Sequence, residues 1–167
     1  YTVSFAYLLV AAMVPFLSGI ADFGGRRKEF LKFFTWFGGL SCVGLFFFSS
    51  ADMVWYGTLL FATATLGAGA CIAFYNAYLP EIVTEDKYDS VSAQGYAYGY
   101  FGSVLLLIFC LLMINKPEVF GFSNEIVPTR LSFLLVGVWW LGFAQFTFAR
   151  LPKDSRVSAK GLLGKGF

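Results

Sequence analysis

Few side chains in this sequence are able to do chemistry, and most of them crowd into short stretches. Its 167 residues include no histidine and only three cysteines. Cys42, Cys71 and Cys110 stand among apolar neighbours, odd in number and without motif spacing, so they read as buried small apolar residues. Without histidine, imidazole ligation of haem and His-based zinc sites are excluded. The apolar runs hold no paired acids, no His/Cys cluster and no metal motif. No catalytic residue, metal or cofactor is therefore expected, and an enzyme is set aside. The densest motif is Pro15-Phe-Leu-Ser-Gly-Ile-Ala-Asp22-Phe-Gly-Gly-Arg26-Arg27-Lys28. Its chemistry is electrostatic. A helix ending here leaves carbonyls unpaired with negative dipole character, which favours the cations just beyond it. Gly24 and Gly25 permit a tight reversal because glycine takes positive φ without steric cost. Asp22 is misplaced near a helix C-terminus and needs a partner, either the adjacent arginines or the N-terminus of another helix.

The elements that must position this motif follow from composition. Charged residues make up 13% of the chain, apolar residues 58%, and the mean hydropathy is +0.71. Five runs carry no charge at all: 1–21, 33–51, 53–80, 90–115 and 131–149. A hydrocarbon layer about 30 Å thick takes roughly 20 apolar residues as a helix. A spanning backbone must also satisfy its own hydrogen bonds, so such runs are helices. Short alternating segments of the β-barrel kind are absent from the sequence. The expectation is an all-α, polytopic membrane bundle with spans at about 1–20, 33–50, 53–79, 91–114 and 131–148. Between them lie loops L1 to L4, followed by a tail. Arg26, Arg27, Lys28 and Lys32 fall in L1, Lys87 in L3, and Arg150, Lys153, Arg156, Lys160 and Lys165 in the tail. L2 has no cation and L4 only Lys116 and Arg130. By the positive-inside rule L1, L3 and the tail are cytoplasmic, that is residues 22–32, 81–90 and 150–167.

Tyr1 already heads an apolar run, without an initiator methionine or charged leader, so the run does not read as a signal peptide. An odd number of spans places the termini on opposite sides. A piece lacking at least one preceding span is expected, with residues 151–167 as the start of a linker.

The spans are not equivalent. Pro15 is expected to kink the first near its cytoplasmic end. The fourth carries Gly95, Gly99 and Gly102 on one face, a small-residue pattern that lets helices approach closely in lipid. The third is rich in small and hydroxyl residues, whereas the second and fifth look bulky around most of their circumference. Spans one, three and four therefore read as inner helices and two and five as outer ones. Asn76, in the third span with Thr65, Gly69 and Ala73 on its face, reads either as an interhelical hydrogen bond or as part of a substrate path or gate. The same alternatives hold for Gln94 and Tyr98, one turn apart in the fourth span. Trp139 and Trp140 read as lipid or packing contacts.

The motif at 15–28 resembles the signature loop between the second and third helices of the major facilitator superfamily, with Ile20, Ala21, Asp22, Gly25, Arg26 and Arg27 in register. Ser18 and Phe23 depart from that pattern. Phe74-Tyr-Asn76-Ala-Tyr-Leu-Pro80-Glu81-Ile, the stretch Val91-Ser-Ala-Gln94-Gly95-Tyr-Ala-Tyr98-Gly99-Tyr and the pair Trp139-Trp140 resemble the bacterial branch related to the autophagy-linked vacuolar amino-acid effluxers. The likeness covers nearly the whole chain and implies helices two to six of a twelve-helix fold, with residues 1–150 as a partial N-terminal six-helix bundle. It implies a conformational latch of Asp22, Gly25, Arg26 and Arg27, with Asp22 and Arg26 forming a charge relay between two halves. The arginine that the family usually carries on its fourth helix is missing, since Thr63 to Ala70 hold no charge.

The resulting expectation is a secondary transporter in the inner cell membrane. It would move a small metabolite by alternating access, with amino acids and efflux implied by the likeness. The rival is a membrane sensor or assembly protein of the same fold that does not transport. Expected partners are a small-molecule substrate, the lipid bilayer, and the first helix and C-terminal half of the same protein; no nucleic acid is expected. No Asp, Glu, Lys or Arg stands at the centre of any span, where coupled transporters keep ionisable groups. A coupling group is therefore expected outside these five helices.

Overall fold

The computed structural model describes residues 1–152, less the side chains of Ser18 and of residues 20–24. The expected linker beyond 152 and the carboxylate of Asp22 lie outside the described residues. The long helices are α1 (Thr2–Gly24), α2 (Arg27–Gly44), α3 (Val54–Asn76), α5 (Tyr88–Asn115) and α6 (Ile126–Arg150), with the single turn α4 (Leu79–Ile82) after α3. Among the described residues there is no strand. Four stretches, Arg27–Phe47, Ala51–Ile82, Glu85–Asn115 and Ile126–Arg150, are long and apolar enough to cross a membrane, and α1 adds the apolar helix Thr2–Leu17. The chain is a multi-pass helical membrane protein.

The helices overrun the charge-free runs at their polar ends. Arg27, Lys28 and Lys32 belong to α2, and Arg130 belongs to α6. Charge does not stop a helix at the membrane boundary, because a long cationic side chain carries its head to polar groups while its stem stays apolar. Proline does stop one. Pro80 has no amide to give the carbonyl of Asn76, so α3 ends there and the chain turns through Ala77 and Tyr78 into α4. α1 continues through Pro15 as far as Gly24. Gly25 then takes φ 57°, the left-handed conformation that reverses the chain into α2.

α2 lies between α3 and α6, and α1 packs against α3. Two adjacent glycines explain why the Phe-rich helix sits at this crossing. A Cβ on Gly67 of α3 would stand 2.7 Å from Gly38 Cα, and one on Gly137 of α6 would stand 2.9 Å from the Gly39 carbonyl oxygen. Gly38 thus admits α3 and Gly39 admits α6. The opposite stripe of α2, with Phe33, Trp36, Phe37 and Leu40, is exposed. Sorting by bulk alone places α2 outside; in the structure one of its faces is bare and the other is wedged between two helices. α5 is the loosely held helix: among the described residues a Cβ on Gly99 would meet nothing within 4 Å and one on Gly102 only the edge of Trp139, while a Cβ on Gly95 would meet the Tyr75 hydroxyl at 3.0 Å.

The core lies towards the L1 end, where Leu31, Phe34, Ala70, Phe74, Tyr78 and Phe148 are buried together. Phe74 stacks on Phe30 and Phe34, with centroids 5.6 and 5.8 Å away. Hydroxyls inside the spans turn back on their own helices, as Thr35 does to Leu31 O, Ser41 to Phe37 O and Ser132 to Pro128 O. Thr63 also donates to the Ser41 hydroxyl at 2.9 Å, joining α3 to α2. Among the described residues every buried side-chain nitrogen and oxygen has a partner.

Candidate functional site

The face that carries L1 gathers the ends of several helices. α1, α3 and α6 bring their C-termini there, with their unpaired carbonyls, while α2 begins there. Arg27 and Lys28 occupy the first turn of α2, an unfavourable place for cations by that helix's own dipole. Neighbouring antiparallel helices supply the compensation. Arg27 donates to Ala77 O at 3.4 Å, just past the end of α3, and forms an ion pair with the Glu81 carboxylate on α4. Lys28 donates to Leu151 O at 2.8 Å and Pro152 O at 3.4 Å, just past the end of α6. Successive residues of L1 thus reach in different directions and tie α2 to two other helices.

Arg26 behaves differently. It pairs with Glu29 three residues on, at 2.7 Å, with both side chains half exposed or more. Glu29 is the acid that suits the first turn of α2. Lys32 lies over the Phe148 ring at 5.7 Å, and Arg150 over Phe146 at 4.6 Å, so both remain at the polar edge. Of the four residues expected to form the latch, Gly25 makes the reversal, Arg26 pairs locally, Arg27 reaches another helix, and Asp22 has its carboxylate outside the described residues.

Glu81 enters the sequence analysis only as part of the motif around Pro80, without a partner. A signal was available: Glu81 follows Pro80, which ends the third span on the same face as L1. Arg130 was also passed over. At the opposite end of the bundle its Nε donates to Phe46 O at 2.6 Å, and its guanidinium lies 4.9 Å from the centre of the Phe46 ring. This cation in an otherwise cation-poor loop serves the carbonyl end of α2.

The second feature is an apolar groove of about 880 Å³ between α5 and α6, floored by α2 and α3. Thr35, Cys71, Tyr75, Ser103, Ser132 and Trp139 give it its polar and aromatic points. The Thr35 hydroxyl and the Cys71 sulfur are 3.2 Å apart at its floor. The groove is large enough to hold a small molecule. Asn76 is the final residue of α3 and is exposed, not deep within a span. Gln94 bonds Ser90 at 3.3 Å, and Tyr98 is 77% exposed. Among the described residues no hydrogen bond joins these three. Trp139 and Trp140 both line the groove, and Trp140 also covers Gly38.

Comparison with known proteins adds to this geometry. A family model described as "Vacuole effluxer Atg22 like" matches residues 1–89 and 84–164. An uncharacterized MFS-type transporter, YxiO of Bacillus subtilis, is 31% identical over 84% of this chain and 33% of its own length. Autophagy-related protein 22 of Coccidioides immitis is 26% identical over 86% of this chain and 31% of its own length. The protein of the same name from Yarrowia lipolytica is 27% identical, with 86% and 33% covered. The chain therefore spans about a third of the length of the curated relatives it matches. No solved structure matches it significantly.

Proposed function

We infer the role of this chain from the premise that it belongs to the family of Atg22-like vacuole effluxers, within the major facilitator superfamily. The protein that contains it is, on this reading, a secondary transporter that exports a small metabolite, with amino acids as the cargo class. It works by alternating access, two six-helix halves rocking about a site near the bilayer midplane. Residues 1–150 supply five helices of the N-terminal half, and residues 151–167 begin the cytoplasmic linker. The protein sits in the cell membrane with 22–32, 81–90 and 150–167 on the cytoplasmic side.

One observation carries the reading: L1 is a cationic hub that joins separate helix ends, one of them through a side-chain ion pair. The Arg27–Glu81 pair lies at the surface, where a side-chain ion pair can break and re-form without stranding a buried charge. An alternating-access protein needs such a bond at the face that opens. Gly25 sets the reversal, Arg26 and Arg27 supply the charge, and Asp22 is assigned to engage the other half. Asn76, Gln94 and Tyr98 are assigned to the route between the cytoplasm and the substrate site. The spans hold no central charge, so the group that carries a coupling ion belongs to the remainder of the protein.

Counterflow of labelled amino acids into proteoliposomes of the full-length protein, with and without a pH gradient, tests the cargo. Flux is expected, and its absence for every amino acid refutes that assignment. Asp22→Asn is expected to lower flux while insertion and expression survive. Unchanged flux returns the loop to a purely topological role.

A further inference from the structure

The cations at the L1 face divide by what holds them. Arg26 has Glu29, Arg27 has Glu81, and Lys28 has the carbonyls just past the end of α6. Lys87 stands in sequence among Glu85, Asp86 and Asp89. Lys32 and Arg150 have only aromatic rings. Lys32 Nζ lies 5.7 Å from the centre of the Phe148 ring, and the Arg150 guanidinium 4.6 Å from that of Phe146. Both residues are exposed, and among the described residues neither has an acidic partner. A ring attracts a cation through its face and offers no oxygen to the N–H groups. The three donors of the ammonium and the five of the guanidinium stay open to an acceptor from outside the chain.

These two cations also share a place. Lys32 belongs to α2 yet reaches over Phe148 of α6, two residues before Arg150. Lys28, one turn before Lys32, fixes the start of α2 to the end of α6 through Leu151 O. Lys32 and Arg150 therefore both stand at the α2–α6 edge, level with the last turn of α6. Bare apolar surface runs from that level into the bilayer. Trp36 lies one turn beyond Lys32, and Phe146 and Phe143 lie one and two turns before Arg150; all three are exposed.

Open donors above bare rings are complementary to an anionic head on an apolar tail. A phosphate answers the cations, with Arg150 able to give it two parallel bonds, and acyl chains cover the rings. A free anion would use only the first feature and a neutral lipid only the second. We propose that Lys32 and Arg150 form a binding site for an anionic phospholipid at the α2–α6 edge. Its phosphate lies against the two cations, and its chains run along Trp36, Phe143 and Phe146. Such a site needs only a membrane-spanning chain, and it stands whether or not the full-length protein transports.

Native mass spectrometry of the full-length protein, in micelles carrying equal amounts of phosphatidylglycerol and phosphatidylcholine, tests the site. The anionic lipid should be retained in preference to the neutral one. Each cation near a membrane surface raises affinity for anionic lipid about fivefold, so Lys32→Gln with Arg150→Gln should weaken retention on the order of 25-fold. Where that double variant fails to insert, either single glutamine variant carries the test, with a loss of about fivefold expected. Lys32→Arg with Arg150→Lys keeps both charges and should keep the lipid. Lys87→Gln removes a charge of the same face that lies on neither helix, and should leave retention unchanged. Glycerol 3-phosphate, which offers the phosphate without acyl chains, should not displace the lipid.

Equal retention of the two lipids overturns the site, as does undiminished retention in the glutamine variants. So does a loss in the charge-keeping pair, or a loss in Lys87→Gln equal to that of a single glutamine variant. Displacement by glycerol 3-phosphate overturns the assignment to a lipid and leaves a phosphate site in its place.

Discussion

Gly67→Ala is the substitution whose cost follows most directly from the coordinates. The added Cβ would stand 2.7 Å from Gly38 Cα, 2.9 Å from Gly38 N and 2.9 Å from Phe34 O. All three are backbone atoms of α2, so no side-chain rotation relieves them. Carbon atoms in contact sit about 3.5–4.0 Å apart, and α2 and α3 must part by roughly 0.8 Å at their crossing. Overpacking of this kind costs about 1–3 kcal/mol. The same parting stretches the Thr63–Ser41 bond, now 2.9 Å, which joins these two helices. Such bonds in membrane proteins contribute about 0.6 kcal/mol. Gly142→Ala is the control, because among the described residues nothing lies within 4 Å of the Cβ it would add on α6. Both substitutions gain the same preference of alanine for a helix, about 1 kcal/mol, so that contribution cancels between them. Gly67→Ala should therefore be less stable than Gly142→Ala by about 2–3 kcal/mol. Equilibrium unfolding of the two full-length variants in mixed micelles measures the difference. Equal stabilities would show that α2 and α3 do not cross at these glycines, and the packing account would fail at its centre.

Three further predictions follow from the polar contacts. Arg130→Met removes a charge-assisted bond to a helix-end carbonyl from a half-buried site and should lower unfolding stability by about 1.5 kcal/mol; a neutral result would mean that Phe46 O is served equally well by water. In a double-mutant cycle, Ser41→Ala and Thr63→Val should show a coupling of about 0.6 kcal/mol, and zero coupling would mean that each hydroxyl bonds only its own helix. Glu81→Gln should reduce counterflow on the order of fivefold without loss of inserted protein, and the charge exchange Arg27→Glu with Glu81→Arg should recover part of it. Full flux in Glu81→Gln would remove Arg27–Glu81 from the latch.

Topology was legible in the sequence because lipid imposes it through composition. Unbroken apolar runs of sufficient length must be helices, and the fivefold repetition of such runs set the architecture. What stayed hidden was pairwise. Gly95, Gly99 and Gly102 form a visible small-residue pattern on α5, yet a Cβ on Gly99 meets nothing within 4 Å among the described residues, while Gly38 and Gly39, set among phenylalanine and tryptophan, carry the tightest crossings. A glycine permits close approach only if another helix brings backbone to it, and no feature of one span's own sequence reports where that second backbone lies. The clue that was available is the Gly38-Gly39 doublet itself. Glycine costs helix preference, so two in succession inside an otherwise bulky span call for a packing reason on each side. The same logic applies to the cations. In the sequence Arg130 is one of two cations in L4 and Lys28 one of four in L1, while the family resemblance places Arg27 in the latch. Each instead answers the C-terminal carbonyls of a neighbouring antiparallel helix. A cation in the first turn of a membrane helix is disfavoured by that helix and favoured by its antiparallel neighbour. Its presence therefore marks that the C-terminus of some antiparallel helix lies beside it, and the choice among α1, α3 and α6 is made by packing.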